Sequence, residues 1–122
     1  MSARTKRQQV VGRWAINAFG EAEAKGITQR SLRLLEEAAE AAQAGGVNIE
    51  KAIELLLYVW NRPPGELSQE IGGVGVTLLA LAQAMEVDAD DCERDEVGRI
   101  LSKPIEYFRE RNKAKNDAGF KA

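Results

Sequence analysis

Between Leu67 and Met85, large apolar residues recur at alternating steps of four and three: Leu67, Ile71, Val74, Leu78, Leu81 and Met85. A strand would place such residues at every second position, whereas this spacing keeps them on one side of a helix. The chain must therefore contain a long helix with a continuous apolar stripe, which is expected to be buried against other helices. No run of alternating apolar and polar residues long enough for a strand occurs elsewhere, so the fold class is all-α.

The other segments follow from their breakers and caps. A first helix is expected over about residues 4–20, with Val10, Val11, Trp14, Ala15 and Ala18 on its apolar side. Gly26-Ile27-Thr28 breaks the chain, and Thr28 is the expected N-cap of a helix running to Gly45-Gly46. Asn48 opens a short helix to about Trp60, apolar nearly all round from Ile53 onward, which predicts a subunit interface. Pro63-Pro64-Gly65 is a firm turn before the long helix, expected over about 66–85. Asp88 then caps a helix over about 89–101, and Pro104 starts a basic last helix that fades near residues 116–119. Gly72, Gly73 and Gly75 lie inside the long helix, each costing about 1 kcal/mol relative to Ala. Close approach of a neighbouring helix is the expected reason at Gly72 and Gly75.

At 122 residues the chain is long enough for one core, and it is read as one domain with a basic tail over about 112–122. Its longest apolar run is far too short to cross a bilayer, and the basic N-terminus leads into polar residues rather than a secretory apolar stretch. Cys92 is the lone cysteine and there is no histidine, so there is no intramolecular disulfide and Cys92 lacks the usual partners of a zinc site or a catalytic dyad. The expected compartment is the cytoplasm.

Carboxylates are the conspicuous chemical feature. Glu36-Glu37-Ala38-Ala39-Glu40 places three acids within five residues on the edge of a helix whose apolar stripe holds Leu32, Leu35, Ala39 and Ala42. Such acids repel one another unless cations hold them together. Glu70 lies beside the apolar stripe of the long helix, in a row with Glu66, Gly73 and Thr77. Packed stripe to stripe, the two helices would let these acids face each other. Oxygen-only ligands of this kind suit Mg2+ or Mn2+. The alternative is a surface salt bridge from Arg33, one turn before Glu36 and Glu37.

The net charge of −2 hides a division. Residues 1–20 carry four bases and no acid, residues 99–122 seven bases and three acids, and the stretch between them sixteen acids and six bases. An acidic centre between basic ends fits a metal site serving a phosphorylated ligand, although basic ends also serve solubility alone. Lys103, Arg109 and Arg111 are candidate phosphate contacts or members of a solvated basic face. Trp14 and Asn17 share one side of the first helix, where a ring can stack on a base and an amide can read its edge; a core Trp is the alternative.

The motif residues resemble those of the MazG-like, all-α nucleoside triphosphate pyrophosphohydrolases, whose signature is E-E-x-x-E on one helix and E-x-x-D on a later one. The first half is present as Glu36, Glu37 and Glu40. The second is Glu70-Ile71-Gly72-Gly73, with glycine at the aspartate position. Arg33-Leu34-Leu35, the segment from Thr77 to Ala82 and the segment from Lys103 to Phe108 are also similar, so the likeness spans about residues 10–120. It implies a helical bundle completed by oligomerisation as a dimer or tetramer, and Mg2+-dependent hydrolysis of a nucleoside triphosphate to the monophosphate and pyrophosphate, clearing unwanted nucleotides. It implies Glu37, Glu40 and Glu70 as metal ligands, and Glu36 as a further ligand or the carboxylate that orients the attacking water. A chain of the same fold that binds nucleotides or assembles without hydrolysis is the alternative, supported by Gly73. Nucleic-acid binding through the last helix is disfavoured by the acidic body.

Overall fold

The computed structural model describes residues 1–122 and contains seven helices and no strand: α1 (Ala3–Phe19), α2 (Glu21–Ala24), α3 (Ile27–Ala44), α4 (Ile49–Trp60), α5 (Leu67–Met85), α6 (Ala89–Ser102) and α7 (Ile105–Asp117). The all-α expectation is met. No single helix is long and apolar enough to cross a membrane.

The chain divides into two compact units, one of residues 1–45 with 99–122 and one of residues 46–98. In the first, α1 packs against α2 and α7, and α2 against α3. Its centre is aromatic: the Trp14 ring stands edge-on to Phe19 at 5.4 Å and to Phe108 at 4.9 Å. Ala15, Ala18 and Phe108 are buried around it. Edge-to-face pairs of this kind add about 0.5–1.5 kcal/mol each beyond the area they bury. The Arg30 guanidinium lies 4.6 Å above the Phe19 ring, and burial lowers its pKa.

Ser2 caps α1 by accepting from the Thr5 amide at 3.0 Å. Gly20, at φ 83°, ends that helix and leads directly into the four-residue α2, which the sequence does not announce. The short connection corrects the expected start of α3. Gly26 is the N-cap, without a side-chain cap bond, and Thr28 lies inside the first turn. A Cβ at Gly26 would stand 3.4 Å from the Ala22 and Glu23 carbonyl oxygens, an ordinary contact, so the position does not demand glycine.

In the second unit Asn48 caps α4 by accepting from the Lys51 amide at 2.8 Å, and Asp88 caps α6 by accepting from the Asp91 amide at 3.0 Å. Glu66 caps α5, accepting from the Gln69 amide at 3.0 Å and the Ser68 hydroxyl at 2.5 Å. The helix ends on Glu86, a non-glycine residue in the left-handed region at φ 58°. Two expectations fail here. The stripe of Leu67, Ile71, Val74, Leu78, Leu81 and Met85 is exposed rather than buried. A Cβ at Gly72, Gly73 or Gly75 would meet nothing within 4 Å, so close packing within the chain does not account for these glycines.

Candidate functional site

The acids of the first motif all lie on α3, in the first unit, and are treated differently by their surroundings. Glu36 is half-buried, with the Lys115 ammonium of α7 at 3.0 Å and the Arg33 guanidinium at 3.9 Å from the same oxygen. Arg33 also donates to Asn116 Oδ1 at 3.3 Å. Asn116 and Asn112 donate to the two oxygens of Glu23 at 3.3 and 3.0 Å, so a polar network joins α2, α3 and α7 behind Glu36. Ala122 adds a backbone donation to Gln29 Oε1 at 2.7 Å, which ties the end of the chain to α3. Glu37 and Glu40 stand on the outward part of the helix, both exposed. They are three residues apart and therefore side by side on the α3 surface.

Glu70 lies in the second unit, in the first turn of α5. It lines an open cleft with Val59, Trp60, Arg62, Pro63, Pro64 and Gly65. Its carboxylate folds back over the turn so closely that a Cβ at Gly65 would come within 2.5 Å of Oε1. A side chain at position 65 would require the end of the flexible Glu70 side chain to swing aside. Glu66 neither joins Glu70 nor is merely solvated: its hydrogen bonds from Ser68, and then from the Gln69 and Ser68 amides, hold its carboxyl below the usual range while it caps the helix.

Of the basic candidates, Lys103 and Arg111 are brought together. The Lys103 ammonium sits 4.1 Å from the centre of the Tyr107 ring and the Arg111 guanidinium 5.5 Å from it. The Lys103 hydrogen bond lowers the Tyr107 phenol below its ordinary range, aided by the charges of Arg111, Lys103 and Arg99. Arg109 is directed elsewhere, donating to the Asn17 carbonyl at 2.9 Å and lying 3.8 Å from Glu106. Asn17 is thus engaged through its backbone. Trp14 belongs to the aromatic centre, and its indole N–H is buried without an acceptor. Tyr107, Lys115 and the Glu23–Asn116 network were not among the sequence candidates; only an unpaired base or acid on a helix edge hints at them.

Asp88, Asp90 and Asp91 bring one carboxylate oxygen each within 4.8 Å of the others. Asp88 is occupied as the α6 cap, and Arg94 pairs with Asp90 at 3.6 Å and also with Asp91, which accounts for the cluster without a metal ion.

The donors on α3 fit a hard divalent ion in kind. Mg2+ commonly takes one or two protein carboxylates and fills its other positions with waters and phosphate oxygens. Exposed Glu37 and Glu40 supply two oxygens-only ligands on one helical turn, and Glu70 is a third carboxylate of the same type. No family model, curated protein or solved structure matches this chain.

Proposed function

We propose that this chain is a MazG-like nucleotide pyrophosphohydrolase that uses Mg2+ or Mn2+ to cleave a nucleoside triphosphate into the monophosphate and pyrophosphate. The observation that carries this reading is the E-E-x-x-E group on α3 combined with Glu70 at the start of α5, in an all-helical chain. Glu37, Glu40 and Glu70 would hold the metal, which when bound neutralises phosphate charge and makes a water more acidic. Glu36, fixed by Lys115 and Arg33, is better suited to orienting a water than to ligating. Lys103 and Arg111 beside Tyr107 form the basic group best placed to take phosphate oxygens. Arg109, bonded to the Asn17 carbonyl, has less freedom to do so, and Trp14 would have to offer a base its ring edge from the aromatic centre. Clearing of unwanted nucleotides in the cytoplasm would be the role.

A second reading, a nucleotide-binding module that does not hydrolyse, is favoured by two observations: Gly73 supplies no fourth carboxylate, and Glu36 already has two cationic partners. A screen of common and damaged nucleoside triphosphates with Mg2+ or Mn2+, reading pyrophosphate release, separates the two. Glu37→Gln and Glu40→Gln are expected to lower release at least a hundredfold with helical content unchanged. Wild-type turnover in either variant at limiting Mg2+ would remove that residue from the metal site. Metal-dependent nucleotide binding without pyrophosphate would favour the second reading.

A further inference from the structure

The start of α3 holds buried donors that have no acceptor. Arg30 Nε and Arg30 Nη2 are both buried without a hydrogen-bond partner, and so is Nε2 of Gln29, a residue only 7% exposed. Buried donors are nearly always paired, and a charged one left unpaired is the costliest case. The guanidinium lies 4.6 Å above the Phe19 ring, which supplies no oxygen. The charge of Glu23 reaches Arg30, but the two Glu23 oxygens accept from Asn112 and Asn116. Gln29 Oε1 accepts from the Ala122 amide at 2.7 Å, which leaves Nε2 as the unpartnered end of that side chain. The backbone adds to the imbalance. α3 is 18 residues long, begins at Gly26 without a side-chain cap and has no acid in its first turn, so its first amides and its dipole present positive charge that nothing offsets. Gln29 is its third residue and Arg30 its fourth, and helical side chains lean toward the N-terminus. Gln29 Cβ lies 3.7 Å from where a Cβ at Gly26 would stand, so that side chain starts beside the cap.

We propose that the start of α3 is a binding site for a phosphate group, held by Arg30, by Gln29 Nε2 and by the first amides of the helix. The Nε and Nη2 hydrogens leave the guanidinium along one edge, the arrangement that grips two oxygens of a single oxyanion. A helix N-terminus supplies the complementary amides. Solvent does not touch the buried nitrogens, so entry requires their cover to move. The last residues, outside any helix and tied to Gln29 through Ala122, are the part most easily displaced. The site uses none of the carboxylates on α3 and α5. This inference therefore goes beyond the enzymatic reading and does not rest on it.

The test is equilibrium dialysis of the full chain against inorganic phosphate in the presence of a metal chelator, with thermal melting of the same samples. The expected result is about one phosphate per chain and a melting temperature several degrees higher in phosphate, as follows for a ligand that only the folded state binds. Phosphate also stabilises proteins in general, so the rise is read as the difference from Arg30→Met. Without phosphate that variant should melt at or above wild type, because it removes a buried charge that has no partner. In phosphate the order should reverse. If Arg30→Met does not fold, Arg30→Lys keeps the charge without the two-donor edge and should weaken binding at least tenfold. A nucleoside monophosphate dialysed in parallel distinguishes the source of the group: tighter binding than inorganic phosphate identifies an esterified phosphate as the ligand, and equal or weaker binding the free ion. No bound phosphate from either source overturns the proposal. So does binding that a folded Arg30 variant shares undiminished with wild type, which is how phosphate held only by Lys103 and Arg111 would behave.

Discussion

Gly73 sits one turn beyond Glu70 on α5, where the resembling motif would place an aspartate. The space around it is empty within the chain, so a carboxylate can be added without displacing anything. Replacing a helix-interior glycine also gains a few tenths of a kcal/mol, the difference between the glycine and aspartate penalties. Gly73→Asp is therefore expected to fold at least as well as wild type and, if Glu37, Glu40 and Glu70 hold a metal, to tighten Mg2+ binding severalfold by calorimetric titration. A folded variant with unchanged affinity would mean that Glu70 is not a ligand. A second expectation concerns Tyr107. Its phenol is lowered chiefly by the Lys103 hydrogen bond, so in a Tyr58→Phe background tyrosinate absorbance should rise at lower pH than for a free tyrosine. Lys103→Met should move that rise back toward the ordinary value of 10.0. An unchanged titration would deny the contact that brings Lys103 to Tyr107.

At the level of elements, the helices that begin on a capping side chain were legible. Asn48, Asp88 and the turn at Pro63-Pro64-Gly65 fall where expected, because an Asn or Asp acceptor and a proline each impose a local geometry whatever surrounds them. α2 was not legible: four residues carry no periodicity, and the helix exists because Gly20 turns the chain sharply between α1 and α3. The same connection displaced the start of α3 from Thr28 to Gly26. Glu66 was legible as an acid but not as a cap, since glutamate is a rare choice there. Its capping role gives a pH-dependent prediction. A carboxyl held below its usual value stabilises the folded chain above the ordinary value of 4.5, and the benefit is lost as pH falls through the lower, folded value. Glu66→Ala should accordingly lower the melting temperature near neutrality, with the difference from wild type fading as pH drops below 4.5. A difference that persists undiminished into acid would mean that packing, not the charged cap, is what the variant removes.

Over the whole molecule, apolar periodicity identified the helices but not what covers them. The stripe on α5 has the same sequence signature whether its partner is in the same chain or in another, and only the coordinates show it exposed. Charge patterning did better for the first motif, which places Glu36, Glu37 and Glu40 together on α3; it could not anticipate that Lys115 from the last helix would take Glu36. Trp14 illustrates the remaining ambiguity, because an aromatic on an apolar helix face reads alike as a stacking platform and as a core residue, and here it packs on Phe19 and Phe108. The central claim is that the carboxylates of α3 serve a metal-dependent cleavage of nucleoside triphosphates. It is tested most directly by pyrophosphate release from a nucleoside triphosphate panel as Mg2+ is titrated, with the wild-type chain and Glu40→Gln side by side. The account predicts Mg2+-dependent pyrophosphate from at least one nucleotide and its loss in the folded variant. Equal release by both proteins, or none from any nucleotide with either Mg2+ or Mn2+, would contradict it.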